Sequence, residues 1–377
     1  MNYTNRESDI IQDSTTSLEH LHTFENFPVF MGCVDQPKEQ DVKADMSWWI
    51  SPSTGVIQLN PLLPLDVVYA AEHGSGTVGG LWDQHHQAFA DFIAEHEVSS
   101  ILEIGGLHGH LAQKCLQHNK KLDWTIIEPN PCIDESLNVN VIKGFFDDKF
   151  DTGRKYDAVV HSHVLEHLYD PHEFMKHKSS FMHEGSLLFI SVPNMKAMLE
   201  RNYTNCLNFE HTYYLNDEYV NYLLKHYGFN LITKQAFKDD HSVFYCAEKV
   251  GSRTTKIEAP QLYEQNKKLY ENYLQYHVEL VDVLNKAIAE QSSVYLFGGH
   301  VFSQYLIAFG LNVDNVVCIL DNDSKKHGKR LYGTNLIVQP PSILKDKQNA
   351  TVILKAGVYN DEIKAQIVEI NPNVVFV

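Results

Sequence analysis

Glu103 stands two residues ahead of a glycine pair, Gly105 and Gly106, with Gly109 beyond, in the segment ILEIGGLHGHLAQ at 101–113. Glycine permits positive φ and close approach of the backbone to a ligand. A helix opening there points free N–H groups outward. A dinucleotide fingerprint needs glycine at 105, 107 and 110, but Leu107 and His110 hold the last two positions. The charge of Glu103 is badly placed against a pyrophosphate and suits a ligand carrying an ammonium group. Further on, TIIEPNP places Glu128 and Pro129 at the end of an apolar run, Glu128 lying 25 residues after Glu103. A carboxylate at a neighbouring strand end can accept both hydroxyls of a ribose. GFFDD at 144–148 offers Phe145 and Phe146 as faces for an adenine, and HSHVLEHLYDP, from 161, brings His163 to the same edge.

Such residues need a sheet to align them. SSILEIG, LDWTIIEP, KYDAVVHSHV and GSLLFISVP are strand-like, and GHLAQKCLQHNKK and PHEFMKHKSSFM between them are helical. The alternation predicts an α/β fold, a doubly wound Rossmann-like sheet of mainly parallel order. A helix and two more strands follow, ending in HSVFYCAEKV. Residues 261–290 carry apolar side chains at three- and four-residue steps, which predicts one long connecting helix. A second, smaller Rossmann-like unit then begins with SVYLFGGH and VVCILDND. Upstream, short apolar pieces from Phe24 to about Asn60 suggest a β-rich lobe, and residues 1 to about 20 read as a frayed tail. A glycine-rich stretch (Gly74, Gly76, Gly79, Gly80) separates a short helix from a longer one. The domains are therefore expected at 1–70, 71–250, 251–290 (the connecting helix) and 291–377.

The 377 residues are enough for two or three cores. A net charge of −17 disfavours nucleic acid as a partner, and KKHGKR at 325–330 is too short to reverse that. Apolar runs such as SLLFISV fall short of the roughly 20 residues of a membrane span. The polar N-terminus has no signal-peptide core. A soluble, cytoplasmic protein without a membrane partner is expected. The six cysteines are scattered without a CxxC pair and read as buried thiols. His161, His163, His167 and His172 invite a metal reading. Strand alternation and the lack of an adjoining carboxylate or cysteine cluster favour no metal.

Together, ILEIGGLHG, IIEPN, GFF, YDAVVHSHVLEHLYDP and EGSLLFISVPN, in that order over about 90 residues, resemble class I methyltransferases dependent on S-adenosylmethionine (SAM). SAM carries the ammonium group that Glu103 suits. The resemblance implies SAM as cofactor, with Glu103, Gly105, Gly106, Gly109, Glu128, Pro129, Phe145, Phe146 and His163 around it. NFEHTYYLNDEYVNYLLKHYGFNLI at 208–232 and the C-terminal unit are similar to the nucleotide-sugar C-methyltransferases. That likeness implies a small-molecule acceptor, a nucleotide-activated sugar or surface-polysaccharide precursor, with His211 as base and Glu210 beside it. The family's tyrosine falls on Asn208, so carbon and oxygen both stay open as the methyl acceptor. The family's N-terminal zinc ligands are missing: Ser51 and Thr54 stand where cysteines would, and Cys33 is alone. A metal-free lobe is expected. The alternatives are a nucleotide-sugar oxidoreductase or epimerase using the C-terminal turn, where Asp321 lies 23 residues after Gly298, and a non-catalytic SAM-binding protein. A homodimer is compatible with either.

Overall fold

The computed structural model describes residues 2–69, 80–251 and 257–377. The expected glycines Gly74, Gly76 and Gly79 lie outside the described residues, and Gly80 opens helix α1 (Gly80–Ala94). The alternating segments then form β1 (Ser100–Ile104), α2 (His110–His118), β2 (Asp123–Glu128), β3 (Asn140–Lys143), β4 (Ala158–Ser162), α3 (Pro171–Phe181) and β5 (Leu187–Pro193). After them come α4 (Met195–Glu200), α5 (Asp217–His226), β6 (Phe229–Phe237), α6 (Lys238–His241) and β7 (Ser242–Lys249). Seven strands make one sheet in the order β6-β7-β5-β4-β1-β2-β3. Strands β1 to β5 run parallel, and β7 is antiparallel to both of its neighbours. The strand order reverses beside β1, the position at which open sheets of this kind take up ligands outside their carboxyl ends.

The central strands are apolar because both faces are covered by helices. Ile101, Leu102, Val159, Val160, Leu188 and Phe189 are all buried. Asp170 caps α3 by accepting the N–H of Glu173, and Asn216 caps α5 through Tyr219.

The connecting helix α7 spans Tyr263–Ile288. It leads to a five-stranded parallel sheet made of β8 (Val294–Phe297), β9 (Val316–Leu320), β10 (Val338–Gln339), β11 (Thr351–Ile353) and β12 (Val375–Phe376). Helix α8 (Val301–Ala308) follows β8. The N-terminal lobe is a three-stranded antiparallel sheet of Glu19–Pro28, Lys43–Ile50 and Ile57–Leu59.

The first twenty residues are not a frayed tail. Ser8–Asp9 pairs with Ser14–Thr15, and Arg6, Asp9, Ile10 and Ile11 are buried. Polar partners far along the chain hold them, which a reading for apolar periodicity passes over. Arg6 donates to the carbonyls of Thr212 and Tyr169, each at 3.0 Å. Asp9 accepts the hydroxyls of Ser51 and Thr54, the latter at 2.6 Å, and the N–H groups of Ile11 and Gln12. At the positions where the family resemblance implies zinc ligands, hydroxyls converge on a buried carboxylate.

Candidate functional site

Gly105 (φ 81°) and Gly109 (φ 68°) both take left-handed backbone, so the turn between β1 and α2 needs glycine there. Gly106 is required by space. A Cβ would stand 2.7 Å from Glu103 Cδ and 2.8 Å from Ile126 Cγ2. Glu103 forms the floor of the turn: it is buried, and its Oε2 accepts Trp124 Nε1 at 2.8 Å. Burial, opposed by that hydrogen bond and helped by the charge of Glu128, pushes its carboxyl up to about 7. Glu128 closes β2, buried, with Oε1 accepting the N–H of Asn130 at 2.9 Å. One such bond leaves a carboxylate with lone pairs for further donors. Pro129 follows it at the rim.

The two phenylalanines divide. Phe145 is 71% exposed, whereas Phe146 packs among Phe150, Phe174, His177 and Phe181. Phe145 turns its ring to solvent. Phe146 holds the loop to the core.

At the end of β4 the chain turns sharply, with His163 at φ 53°. Its Nδ1 lies 3.2 Å from Glu166 Oε1, and its Nε2 lies 3.0 Å from Ser242 Oγ. Glu166 is fully buried, and His167 Nε2 lies 4.0 Å from its Oε1. Opposing the burial, the nearby imidazoles, His163 first and then His167 and His211, hold the Glu166 carboxyl down at about 2.

The segment from Asn208 to Tyr214 closes over this turn. The Asn208 side-chain oxygen accepts the N–H groups of Glu210 (2.8 Å) and His211 (2.9 Å). The residue that replaces the family's tyrosine therefore builds the bend that carries His211. The His211 Nδ1 bonds the carbonyl of Cys206 at 2.9 Å, which fixes the proton on Nδ1 and leaves Nε2 as the acceptor. Its ring meets the ring of His167 edge-on at 4.8 Å. Tyr213, fully buried, donates to the carbonyl of Leu165 and so ties the segment to the Glu166 turn.

The site thus gains Glu166, His167, which the sequence offered only as one of four histidines open to a metal reading, and Tyr69, whose hydroxyl lies 3.4 Å from His167 Nδ1. The sequence did carry a signal for two of them, since Glu166 and His167 sit in LEH directly after His163. The surroundings of His211 set its basicity. Burial pushes its imidazole down to about 4, helped by His167 and only partly offset by Glu166 and Glu210. The ring is neutral at neutral pH and a weaker base than a free histidine.

The histidine picture also differs from the expected one. His161 is buried in β4 and bonds the Nζ of the buried Lys178 at 2.7 Å. His172 bonds Tyr227 and the carbonyl of Ile11. His163 and His167 each join a group with residues of other elements: His85, His163 and His241 in one, Glu166, His167 and His211 in the other. A carboxylate therefore does complete one set, and the ligands come together across the fold rather than within one segment.

In the second unit, Gly298 (φ 111°) and Gly299 turn between β8 and α8. Asp321 is spent within the chain. It accepts Gly299 N–H at 2.7 Å and Asp323 N–H at 2.9 Å, and pairs with Lys326 at 3.2 Å. Cys33 from the N-terminal lobe donates to the carbonyl of Gly299, and Cys33–Val34 pairs with Arg330–Leu331. The turn that could have received a dinucleotide is packed against protein.

Residues 80–234 match the family model described as a methyltransferase domain, and residues 248–374 match the C-methyltransferase C-terminal domain. The chain matches no curated protein by sequence. Among solved structures it is similar to an O-methyltransferase family protein from Burkholderia thailandensis (12% identity, 45% of this chain and 58% of that one, TM-score 0.37). It is also similar to an S-adenosylmethionine-dependent methyltransferase from Clostridium acetobutylicum (12% identity, 44% and 92%, TM-score 0.36). The chain thus spans less than two thirds of the first of these. The assignment rests on the two family models. The residues fit the cofactor: a turn in which a Cβ at Gly106 would collide, a buried strand-end carboxylate and an exposed aromatic face lie along one sheet edge.

Proposed function

We propose, from the premise that this chain is an S-adenosylmethionine-dependent methyltransferase, that it methylates a carbon or oxygen of a small nucleotide-activated sugar or surface-polysaccharide precursor. SAM, when bound, supplies a methyl group on a sulfonium centre. Glu128 is assigned to the ribose hydroxyls, Phe145 to the adenine face, and the Gly105–Gly109 turn to the backbone approach, with Glu103 and Pro129 shaping its floor and rim. His211 is assigned as proton acceptor at the methyl acceptor. The observation that carries this is the imidazole itself: its Nδ1 is committed to Cys206, and its Nε2 is free of that bond beside His167 and Glu166.

An acceptor hydroxyl or an activated C–H must lose a proton as the new bond to carbon forms, and a neutral imidazole at the acceptor takes it. An imidazole held down at about 4 is suited to a hydroxyl whose proton leaves in concert with methyl transfer. It is less suited to forming a free enolate beforehand. Glu166, anionic and buried, favours the imidazolium that results. Tyr69 and Glu210 stand at the edge of this group, where sugar hydroxyls would be oriented. The sugar class draws support from the likeness of NFEHTYY to the nucleotide-sugar C-methyltransferases, and carbon as an acceptor atom draws support from the match to a C-methyltransferase C-terminal domain.

The test is incubation of the protein with methyl-labelled SAM and fractionated metabolite pools, followed by mass spectrometry. Label is expected in the nucleotide-sugar fraction. Label confined to other small molecules would overturn the acceptor class while leaving methyl transfer intact.

A further inference from the structure

We propose that His85, His163 and His241 form a binding site for one divalent transition-metal ion of the zinc class. The three residues come from α1, from the turn after β4 and from the end of α6. Each offers a ring nitrogen, and the three nitrogens lie within 4.8 Å of one another. Zinc–nitrogen bonds of about 2.1 Å put tetrahedral ligand atoms about 3.4 Å apart. Side-chain adjustments of about an ångström therefore complete the set.

The contacts around the rings already orient their nitrogens. Metal-bound histidines commonly turn their second ring nitrogen to a carboxylate, and His163 Nδ1 lies 3.2 Å from the buried Glu166, whose oxygens have no hydrogen-bond partner among the described residues. With Nδ1 on that side, His163 offers Nε2 to a metal. His85 is fully buried, with Nε2 bonded to Ser191 Oγ at 3.0 Å, and its Nδ1 has no hydrogen-bond partner among the described residues. An unpaired buried ring nitrogen is costly, and a bond to a metal removes the cost. The Ser242 hydroxyl is shared between His163 Nε2 (3.0 Å) and His241 Nδ1 (2.7 Å), and can release one while keeping the other. The Trp82 ring meets all three imidazoles edge-on at 4.9–5.1 Å and walls them from water.

The donor set selects the ion. Three imidazoles suit zinc, cobalt(II) or iron(II) and are poor ligands for magnesium or calcium. Glu166 supplies negative charge one residue behind the metal. Three protein ligands leave a fourth position, the pattern of sites that bind an exchangeable group.

The test uses the full chain, loaded with Zn²⁺ or Co²⁺ and dialysed. Metal is read by elemental analysis and cobalt by its visible spectrum, while SAM binding reports the fold. One ion per chain is expected, with nitrogen-ligand tetrahedral cobalt bands. It should be retained in His211→Gln and Cys33→Ala and lost in His85→Gln/His241→Gln. If that double variant fails to bind SAM, His241→Asn alone is read, with at least a tenfold loss of Co²⁺ affinity expected. Wild-type protein without metal after dialysis, unchanged metal in the histidine variants, or loss of metal in His211→Gln would each overturn the site. Failure of the methyl-acceptor reading leaves this measurement unaffected.

Discussion

Two turns in this chain share one plan, a strand, a glycine pair and a helix, yet they meet opposite fates. The Gly105–Gly106 turn shares its sheet edge with a strand-end carboxylate, Glu128, and with an aromatic ring, Phe145, that is 71% exposed. At Gly298–Gly299 the corresponding carboxylate, Asp321, is consumed by Gly299, Asp323 and Lys326, and Cys33 of the N-terminal lobe stands against the glycine. The fold does not decide which turn binds. What decides is whether the acid at the neighbouring strand end is left with capacity or spent on the protein itself. The C-terminal unit is accordingly read as a clamp. Its Tyr305 donates to the carbonyl of Leu207, three residues before Glu210, and its Arg330 pairs with Asp41 of the N-terminal lobe at 2.6 Å.

The largest effect is expected at the open turn's side of the molecule. His211→Gln should leave the SAM isotherm intact and lower single-turnover methyl transfer by roughly 10²- to 10⁴-fold. In the wild type the acid limb of the rate profile should fall near pH 4, not 6.5, because burial depresses this imidazole. Near-normal transfer by the variant would pass the proton to Glu210 or to water. An acid limb at the free-histidine value would mean that His211 is solvated during turnover.

The contrast extends to the cores. The C-terminal core around Tyr295, Leu320, Val352 and Ile367 is apolar. The methyltransferase core instead buries the Lys178 amine against His161 and the ring of Phe174, 4.2 Å away. Burial drives the amine's pKa well below its ordinary value. The unfolded chain then binds a proton that the folded chain refuses, so this group costs stability at any pH below its unfolded value near 10.5. Lys178→Met should therefore gain stability on the wild type as pH is lowered from about 10, the gain growing until the folded chain's amine itself takes up a proton. Denaturant titrations in which the difference does not change with pH would show the lysine to be charged in the fold.

The two strand-end acids should behave differently on removal. Glu128→Ala should weaken SAM binding at least tenfold, since hydrogen bonds to a charged group contribute roughly 1.5–3 kcal/mol each. Asp321→Ala should leave SAM affinity unchanged and lower the melting temperature, because three donors lose one acceptor. Calorimetry and thermal melts on the pair read both. Equal effects on SAM binding would erase the distinction between the turns.

What the sequence made legible follows the range of each signal. Gly105, Gly109, Glu128 and the strand–helix alternation are local patterns, and the seven-stranded sheet emerged from them. The division between Phe145 and Phe146 depended on Phe174 and Phe181, on a helix almost thirty residues later. The order of the N-terminal tail depends on Arg6 reaching Thr212, 206 positions away. Polar anchors of that kind leave no periodicity. The three-histidine group was illegible for the same reason, since His85, His163 and His241 are united only by the packing of α1 and α6 on the end of β4. The depressed basicity of His211 is likewise a property of burial, which the motif containing it does not encode.

The smallest effect tests the packed turn. Cys33 is half-buried, its thiol pushed up to about 12 chiefly by burial, and its Sγ would lie 2.9 Å from a Cβ placed on Gly299. It is therefore a small filler rather than a reactive group. Cys33→Ala removes one sulfur and one weak hydrogen bond, and should cost about 1 kcal/mol in denaturant unfolding. SAM binding should be unchanged. The space so opened is too small for a nucleotide, and Asp321 stays bonded to Gly299 and Lys326. Neither the wild type nor Cys33→Ala should therefore bind NAD(H) in a fluorescence titration. Saturable binding by the variant alone would show that the thiol was the only obstruction, and that the second turn keeps the function the first never had.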